Sequence, residues 1–226
     1  MTFDASLIAG LRYRLRSATP LHWQQALREI RTGARLLRYR VVGRPICPGE
    51  TAKAHARRMR EGFFAKYCSG RGLDIGYGGD LLCDNCVGWD REHGDAQFLA
   101  RLADASFDFV YSSHTLEHVA DASLALRNWY RVVIPGGYLI LFVPDRDLYE
   151  KRLTLPSRWN PDHRRFFLLD RDEPPDTIGL LPLIERVLPD AKVLAARRCA
   201  DGHTINDPAR HSDGEYSLEV ILRKAA

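Results

Sequence analysis

The nine residues Gly72-Leu73-Asp74-Ile75-Gly76-Tyr77-Gly78-Gly79-Asp80 end an apolar run in a glycine-dense turn. At the carboxyl edge of a parallel sheet such a turn lets a ligand approach bare backbone, and a nucleotide-like cofactor is its natural occupant. A tight structural turn is the competing reading. No Gly-Lys-Ser/Thr follows, so the segment is not a phosphate loop, and its third glycine is misplaced for a dinucleotide fingerprint. Asp90 ends the next apolar stretch, sixteen residues after Asp74, where a carboxylate can accept hydrogen bonds from both hydroxyls of a ribose. Gly94-Asp95-Ala96 follows. Ser106 to Ser113 then forms another apolar run ending in small polar residues, and Ile134-Pro135-Gly136-Gly137 turns into a further one. Each piece alone could be scaffold; their order is the signal.

Two shorter patterns invite metal chemistry. His114-Thr115-Leu116-Glu117-His118 fits the H-x-x-E-H arrangement, in which two histidines one helical turn apart hold zinc beside a general base. The motif follows directly on a strand and no third ligand sits at a defined spacing, so the wall of a cofactor pocket is the preferred reading and no metal is assigned. Cys83-Asp84-Asn85-Cys86 is a lone CxxC, with Cys47, Cys68 and His93 scattered rather than paired. Two buried thiols filling space near the cofactor loop is the reading adopted.

The elements that must carry these residues alternate. The pattern predicts strands at Arg71–Ile75, Cys86–Asp90, Phe107–Ser113 and Tyr138–Val143, with helices at Ala96–Ala103 and Ala120–Val133 between them. Such alternation implies a mostly parallel sheet with helices on both faces. A polar stretch rich in Pro and Arg (145–176), a helix near Leu180–Val187 and strands at Ala191–Arg197 and Tyr216–Arg223 complete the chain. Upstream, Trp23, Leu27, Ile30, Ala34 and Leu37 recur at helical spacing while Arg28, Arg31, Arg35 and Arg38 fall elsewhere on the wheel, a basic amphipathic helix. Residues 42–52 read as a linker and Lys53 to Tyr67 as a second helix. The division expected is a basic, mainly helical extension (1–66) before a catalytic domain (67–226).

The 226 residues are 45% hydrophobic and 27% charged, enough apolar material for one sizeable α/β core and too little chain for two catalytic domains. Residues 1–66 carry 14 Lys+Arg against four Asp+Glu, a bias toward a phosphorylated substrate, an acidic membrane surface, RNA or an acidic protein. No apolar run approaches a membrane span, no persuasive signal peptide opens the chain, and five cysteines are an odd number for a disulfide framework. A cytoplasmic location is therefore expected.

The series GLDIGYGG, WD, GDA, SFDFVYSSHTLEHV and IPGGYLILFVPD resembles the class I S-adenosylmethionine-dependent methyltransferases, specifically the type 11 group, strongly over residues 70–145. The resemblance implies an α/β, Rossmann-like, doubly wound sheet of seven strands and S-adenosylmethionine as cofactor. It implies that Gly76, Tyr77 and Gly78 give room to the methionine part with Asp74 close by, Asp90 at the ribose and Asp95 with Ala96 at the adenine. Ser113 and His114 would close the methionine side. Asp80 stands where a third glycine is common, and the short stretch from Gly79 to Asp95 leaves Asp84 as a substitute for Asp90. Methyl transfer needs alignment more than strong base, but a hydroxyl acceptor benefits from one; His118 and His163 are the candidates. The stretch around Asp162-His163-Arg164-Arg165 resembles a loop of methyltransferases from surface-polysaccharide and other glycan pathways. That implies a sugar or glycan precursor, phosphorylated in one version, as acceptor. RNA methylation and a non-catalytic protein recruited through the Arg-rich helices are the alternatives; no DNA partner is expected.

Overall fold

The computed structural model describes residues 49–226. The amphipathic stretch at Leu21–Arg40, with its proposed membrane or acidic partner, and most of the predicted linker lie outside the described residues.

Residues 50–67 form three short helices, α1 (Glu50–Lys53), α2 (His55–Arg60) and α3 (Phe63–Tyr67), instead of the single helix expected. The break before α3 falls at Gly62, whose φ of +65° takes the chain out of helical geometry. The sheet follows: β1 (Gly72–Ile75), β2 (Cys86–Trp89), β3 (Phe107–Ser113), helix α4 (Ala122–Arg131), and β4 (Val133–Pro144). A π-helical turn (Arg146–Glu150) leads to the short strands β5 (Phe166–Leu168) and β6 (Thr177–Gly179), then α5 (Leu180–Val187), β7 (Lys192–Cys199) and β8 (Ser217–Arg223).

The main sheet has order β2-β1-β3-β4-β8-β7, with β5 and β6 paired separately. Strands β1 to β4 run parallel and β8 is antiparallel to both its neighbours. Among the described residues six strands stand where seven were expected. The shortfall lies at the β2 edge, where residues 90–106 form turns only and no described strand extends the sheet.

The helix expected at Ala96–Ala103 is absent for a related reason. Side chains of α4 take the carbonyls a helix would use: Trp129 Nε1 donates to Ala96, Asn128 to Gln97 and Arg131 to Leu99 and Leu102. Leu99 itself adopts φ +45°. Both faces of the sheet are covered. Leu73, Ile75, Val110, Leu139 and Leu141 face α4 and α5, whereas Phe109, Tyr111, Ile140 and Phe142 face Phe63 and Tyr67 of α3. This is the period-two alternation of strands buried on both sides.

Helix α2 docks by charge as well as by shape. Arg58 is fully buried and pairs with Glu219 at 2.8 Å while donating to the Tyr111 hydroxyl at 3.0 Å. Arg57 bridges Glu215 at 2.9 Å and Glu219 at 3.0 Å. Burial would raise the Glu219 carboxyl, but Arg58, Arg57 and Arg197 hold it well below the usual carboxylate range.

Candidate active site

A cavity of about 780 Å³ opens at the carboxyl ends of β1, β2 and β3, the position at which open α/β sheets bind ligands. Its volume lies within the range of roughly 300–1,000 Å³ typical of ligand sites. One end is built from the turns after the strands: Gly76 and Gly78 after β1, Asp90 after β2, His114 after β3. Gly76 is required twice over. Its φ is +76°, and a Cβ there would stand 1.9 Å from Thr115 Oγ1, which donates to the Ile75 and Ser113 carbonyls. A Cβ on Gly78 would make only an ordinary contact, 3.9 Å from the Gly76 carbonyl oxygen, and the bare backbone of Gly78, at φ +58°, lines the cavity.

Of the residues that the resemblance placed at the cofactor, Gly76, Gly78, Asp90, Asp95, Ala96 and His114 line this cavity. Tyr77, Asp74 and Ser113 do not. Tyr77 packs its ring over Gly88 of β2. Asp74 is fully buried; one oxygen accepts from the Leu82 amide at 2.8 Å, and burial pushes its pKa up to about 8. Ser113 is buried at the end of β3. Asp84 is exposed in the turn before β2, at the opposite end of that strand from Asp90, and is no substitute for it.

The other end of the cavity is polar, with His118, Asn160, Asp162 and Arg164 on its wall. Two segments far apart in sequence meet here, and a single buried side chain holds them. Arg165 donates to the carbonyls of Leu116 (2.8 Å), Val119 (2.7 Å) and Ala120 (2.8 Å), and the Arg164 amide donates to the Glu117 carbonyl at 2.9 Å. Arg165 is thus a clamp on the loop after β3 and does not face a substrate, whereas Arg164 is exposed to the cavity.

The clamp brings His163 against His118, with ring centroids 4.8 Å apart. His163 does not line the cavity; it sits behind His118, its Nδ1 2.5 Å from Glu150 Oε1, while Ser157 donates to the other Glu150 oxygen at 2.6 Å. Between the two histidines lies Glu117, fully buried. Its Oε1 is 3.7 Å from His118 Nε2 and 3.8 Å from His163 Nε2. Apart from a loose contact with its own amide, neither carboxylate oxygen has a hydrogen-bonding partner among the described residues.

Burial sets the protonation of this group. It raises Glu117 to about 7, against the pull of His163. It lowers His118 to about 3, helped by the field of His163, so His118 is a neutral imidazole at physiological pH. For His163 burial also disfavours charge, but the hydrogen bond it donates to Glu150 and the fields of Glu117 and Glu150 outweigh it and raise the pKa. Glu117 was visible in the sequence only as the centre of H-x-x-E-H; Glu150 carried no sequence signal.

The cysteines among the described residues stand apart from the cavity. Cys83 and Cys86 place their sulfurs 3.5 Å apart at the start of β2, and both are free thiols, as are Cys68 and Cys199.

A glycine turn and a carboxylate at the ends of neighbouring parallel strands, both opening onto one cavity, are the arrangement of a nucleotide-cofactor fold of the class I methyltransferase type. The chain belongs to the methyltransferase-domain family, whose profile matches residues 26–141, and S-adenosylmethionine is the cofactor of that class. A curated relative from Mycolicibacterium smegmatis, a probable S-adenosylmethionine-dependent methyltransferase, is 28% identical over 153 residues, or 55% of this chain and 58% of its own. The chain therefore spans little more than half of that relative. Among solved structures, a Bacillus halodurans protein has 12% identity, covers 76% of this chain and 98% of its own, and shares the fold at a TM-score of 0.50. An S-adenosylmethionine-dependent methyltransferase from Mesorhizobium loti is 18% identical, covering 78% of this chain and all of its own, with a TM-score of 0.49. The residues present suit the cofactor: bare backbone at Gly76 and Gly78 and a carboxylate at Asp90 open onto one cavity.

Proposed function

We propose that the protein transfers a methyl group from S-adenosylmethionine to a hydroxyl or amine of a small molecule, a sugar or glycan precursor. The observation that carries this is the continuity of the cavity from the glycine cradle to the polar wall at His118, Asn160, Asp162 and Arg164. When bound, the cofactor supplies an electrophilic methyl on a sulfonium. The work left to the chain is to hold the acceptor in line and keep water out, which is worth roughly 7–11 kcal/mol of barrier when the reacting atoms are well aligned.

Asp90 holds the cofactor's ribose, the backbone of Gly76 and Gly78 makes room for its amino-acid end, and Asp95 with Ala96 flanks the base. His118 meets the acceptor and His163 positions it from behind through Glu117. Arg164 is placed to pair with an acidic group on the acceptor, which favours a phosphorylated sugar. The setting we propose is the cytoplasm, where Cys68, Cys83, Cys86 and Cys199 remain reduced thiols. No helix among the described residues is long and apolar enough to cross a membrane.

The experiment is calorimetric titration with S-adenosylmethionine and S-adenosylhomocysteine, followed by methyl transfer to a panel of nucleotide sugars and glycans. Micromolar binding with transfer to a member of the panel supports the reading. Binding with no transfer to any of them removes the sugar acceptor, and no binding by either ligand removes the enzyme.

A further inference from the structure

Glu117 poses a problem that its neighbours do not solve. A carboxylate taken fully out of water costs several kcal/mol unless charge or hydrogen bonds compensate it, and here, the loose contact with its own amide aside, both oxygens lack hydrogen-bonding partners among the described residues. What surrounds it is three imidazole nitrogens. His118 Nε2, His163 Nε2 and His114 Nδ1 approach the same oxygen, at 3.7, 3.8 and 3.9 Å, too far for hydrogen bonds. One ligand-competent atom from each of Glu117, His118 and His163 lies within 4.8 Å of the others.

We propose that Glu117, His118 and His163 bind a divalent transition-metal cation at the polar end of the cavity. Bonds of about 2.0–2.2 Å to nitrogen and oxygen in a tetrahedral site put neighbouring ligand atoms roughly 3.4 Å apart. The two separations from Glu117 Oε1, 3.7 and 3.8 Å, exceed that by a few tenths of an ångström, and all three ligand atoms lie within 4.8 Å of one another, so side-chain rotations that draw the imidazoles together complete the site.

The outward faces of the ligands support the assignment. A metal-bound histidine normally gives its second ring N–H to a carboxylate or carbonyl, which fixes the ring and raises its basicity. His163 meets Glu150 at 2.5 Å through Nδ1, and His118 Nδ1 stands 3.3 Å from the Asp162 carbonyl. Both rings therefore turn Nε2 inward to Glu117 and Nδ1 outward to an acceptor. Glu150 is itself fixed by Ser157. The set differs from the one the H-x-x-E-H pattern suggests: His114 directs Nε2 to Ser217 Oγ at 2.8 Å and holds Nδ1 3.9 Å from Glu117 Oε1, outside the group of three ligand atoms, in which His163 from the stretch after β4 takes its place.

Two histidines and one carboxylate are the ligands of catalytic zinc and of non-haem iron, both of which keep positions open for substrate. Glu117 and His163 are buried and His118 lines the cavity, so the open side of the ion faces the acceptor. This deepens the methyl-transfer reading and rests on it for the role of the ion. An acceptor hydroxyl held there releases its proton to water more readily; its oxygen bonds to the methyl carbon as the sulfur–carbon bond breaks, the electron pair staying on sulfur to leave a thioether and a methyl ether.

The test is made on the full chain, stripped with a chelator and titrated separately with Co²⁺, Zn²⁺, Mn²⁺ and Mg²⁺. Elemental analysis, the visible absorption of Co²⁺ and S-adenosylhomocysteine affinity are measured on the same samples. One Co²⁺ per chain with visible bands and no sulfur charge-transfer band is expected, and at least tenfold weaker binding in Glu117→Gln and in His163→Ala, with S-adenosylhomocysteine affinity kept. Mg²⁺ should compete poorly, because the site offers two nitrogens. The proposal is overturned if wild type binds no Co²⁺ stoichiometrically, if both variants bind it as wild type does, or if Cys83→Ser abolishes binding in their place. Loss of S-adenosylhomocysteine binding by wild type strikes the methyl-transfer reading, and the metal titration is judged apart from it.

Discussion

Arg165 reaches the Val119 carbonyl at 2.7 Å, and by that contact a residue beyond β4 fixes the loop that follows β3. The Leu116 and Ala120 carbonyls are held by the same guanidinium. The polar end of the cavity depends on this clamp, since His118 belongs to one side of it and His163 to the other.

Replacing Arg165 by Ala leaves these carbonyls without their donor. An unsatisfied buried polar group costs about 1–3 kcal/mol, so a loss of at least about 2 kcal/mol in urea unfolding is expected. Methyl transfer should fall further than S-adenosylhomocysteine affinity, because the cofactor cradle lies at the other end of the cavity. Equal losses in both would show that the clamp does not act on the acceptor end.

Asp90→Ala should weaken S-adenosylhomocysteine binding by about 1.5–3 kcal/mol, the range for hydrogen bonds to a charged group, or roughly ten- to a hundredfold. Calorimetry decides it. Undiminished affinity would remove the ribose role and leave Asp90 a turn residue.

Asp74 should make the protein less stable as pH rises. Its folded pKa of about 8 lies above the unfolded value of about 3.9, so between these the unfolded chain is ionised while the folded one keeps its proton. Folding then takes up a proton, and stability falls across that window. Asparagine cannot ionise and can still accept from the Leu82 amide. The stability difference between Asp74→Asn and wild type should therefore shift toward the variant from about pH 5 to about pH 8, and parallel pH profiles would contradict the assignment.

Glu219→Gln should have the opposite pH signature. It removes the carboxylate that pairs Arg58 and Arg57, at a cost of about 3–5 kcal/mol for a broken buried pair. The folded pKa of Glu219 is depressed, so its contribution is complete above the unfolded value of about 4.3 and is lost as pH falls below it. Chemical unfolding of both proteins at neutral and acidic pH should show the gap narrowing in acid; a constant gap would mean packing, not charge, is what the substitution removes.

The parts of this molecule legible in the sequence are those set by local pattern. Strand β3 and helix α5 occupy the expected residues, and the turn after β1 was marked by its glycines. The helix expected at Ala96–Ala103 failed because its carbonyls are taken by Trp129, Asn128 and Arg131, which no local window contains. The strand count failed at the same place. In the site, Gly76, Gly78 and Asp90 could be placed at the cavity because each closely follows the end of a strand. That His163 stands behind His118, and that Arg165 is buried while Arg164 is not, depends on how the stretch after β4 folds back, and residue order alone does not encode it.

The burial of Arg57 and Arg58 changes what the chain's positive end can mean to a partner. Both count toward the basic excess of the first 66 residues, yet each is an interior counter-ion to Glu215 or Glu219. A polyanion approaching through solvent responds to charge at the accessible surface, so the attraction it meets is weaker than a tally of arginines predicts, and its salt dependence shallower.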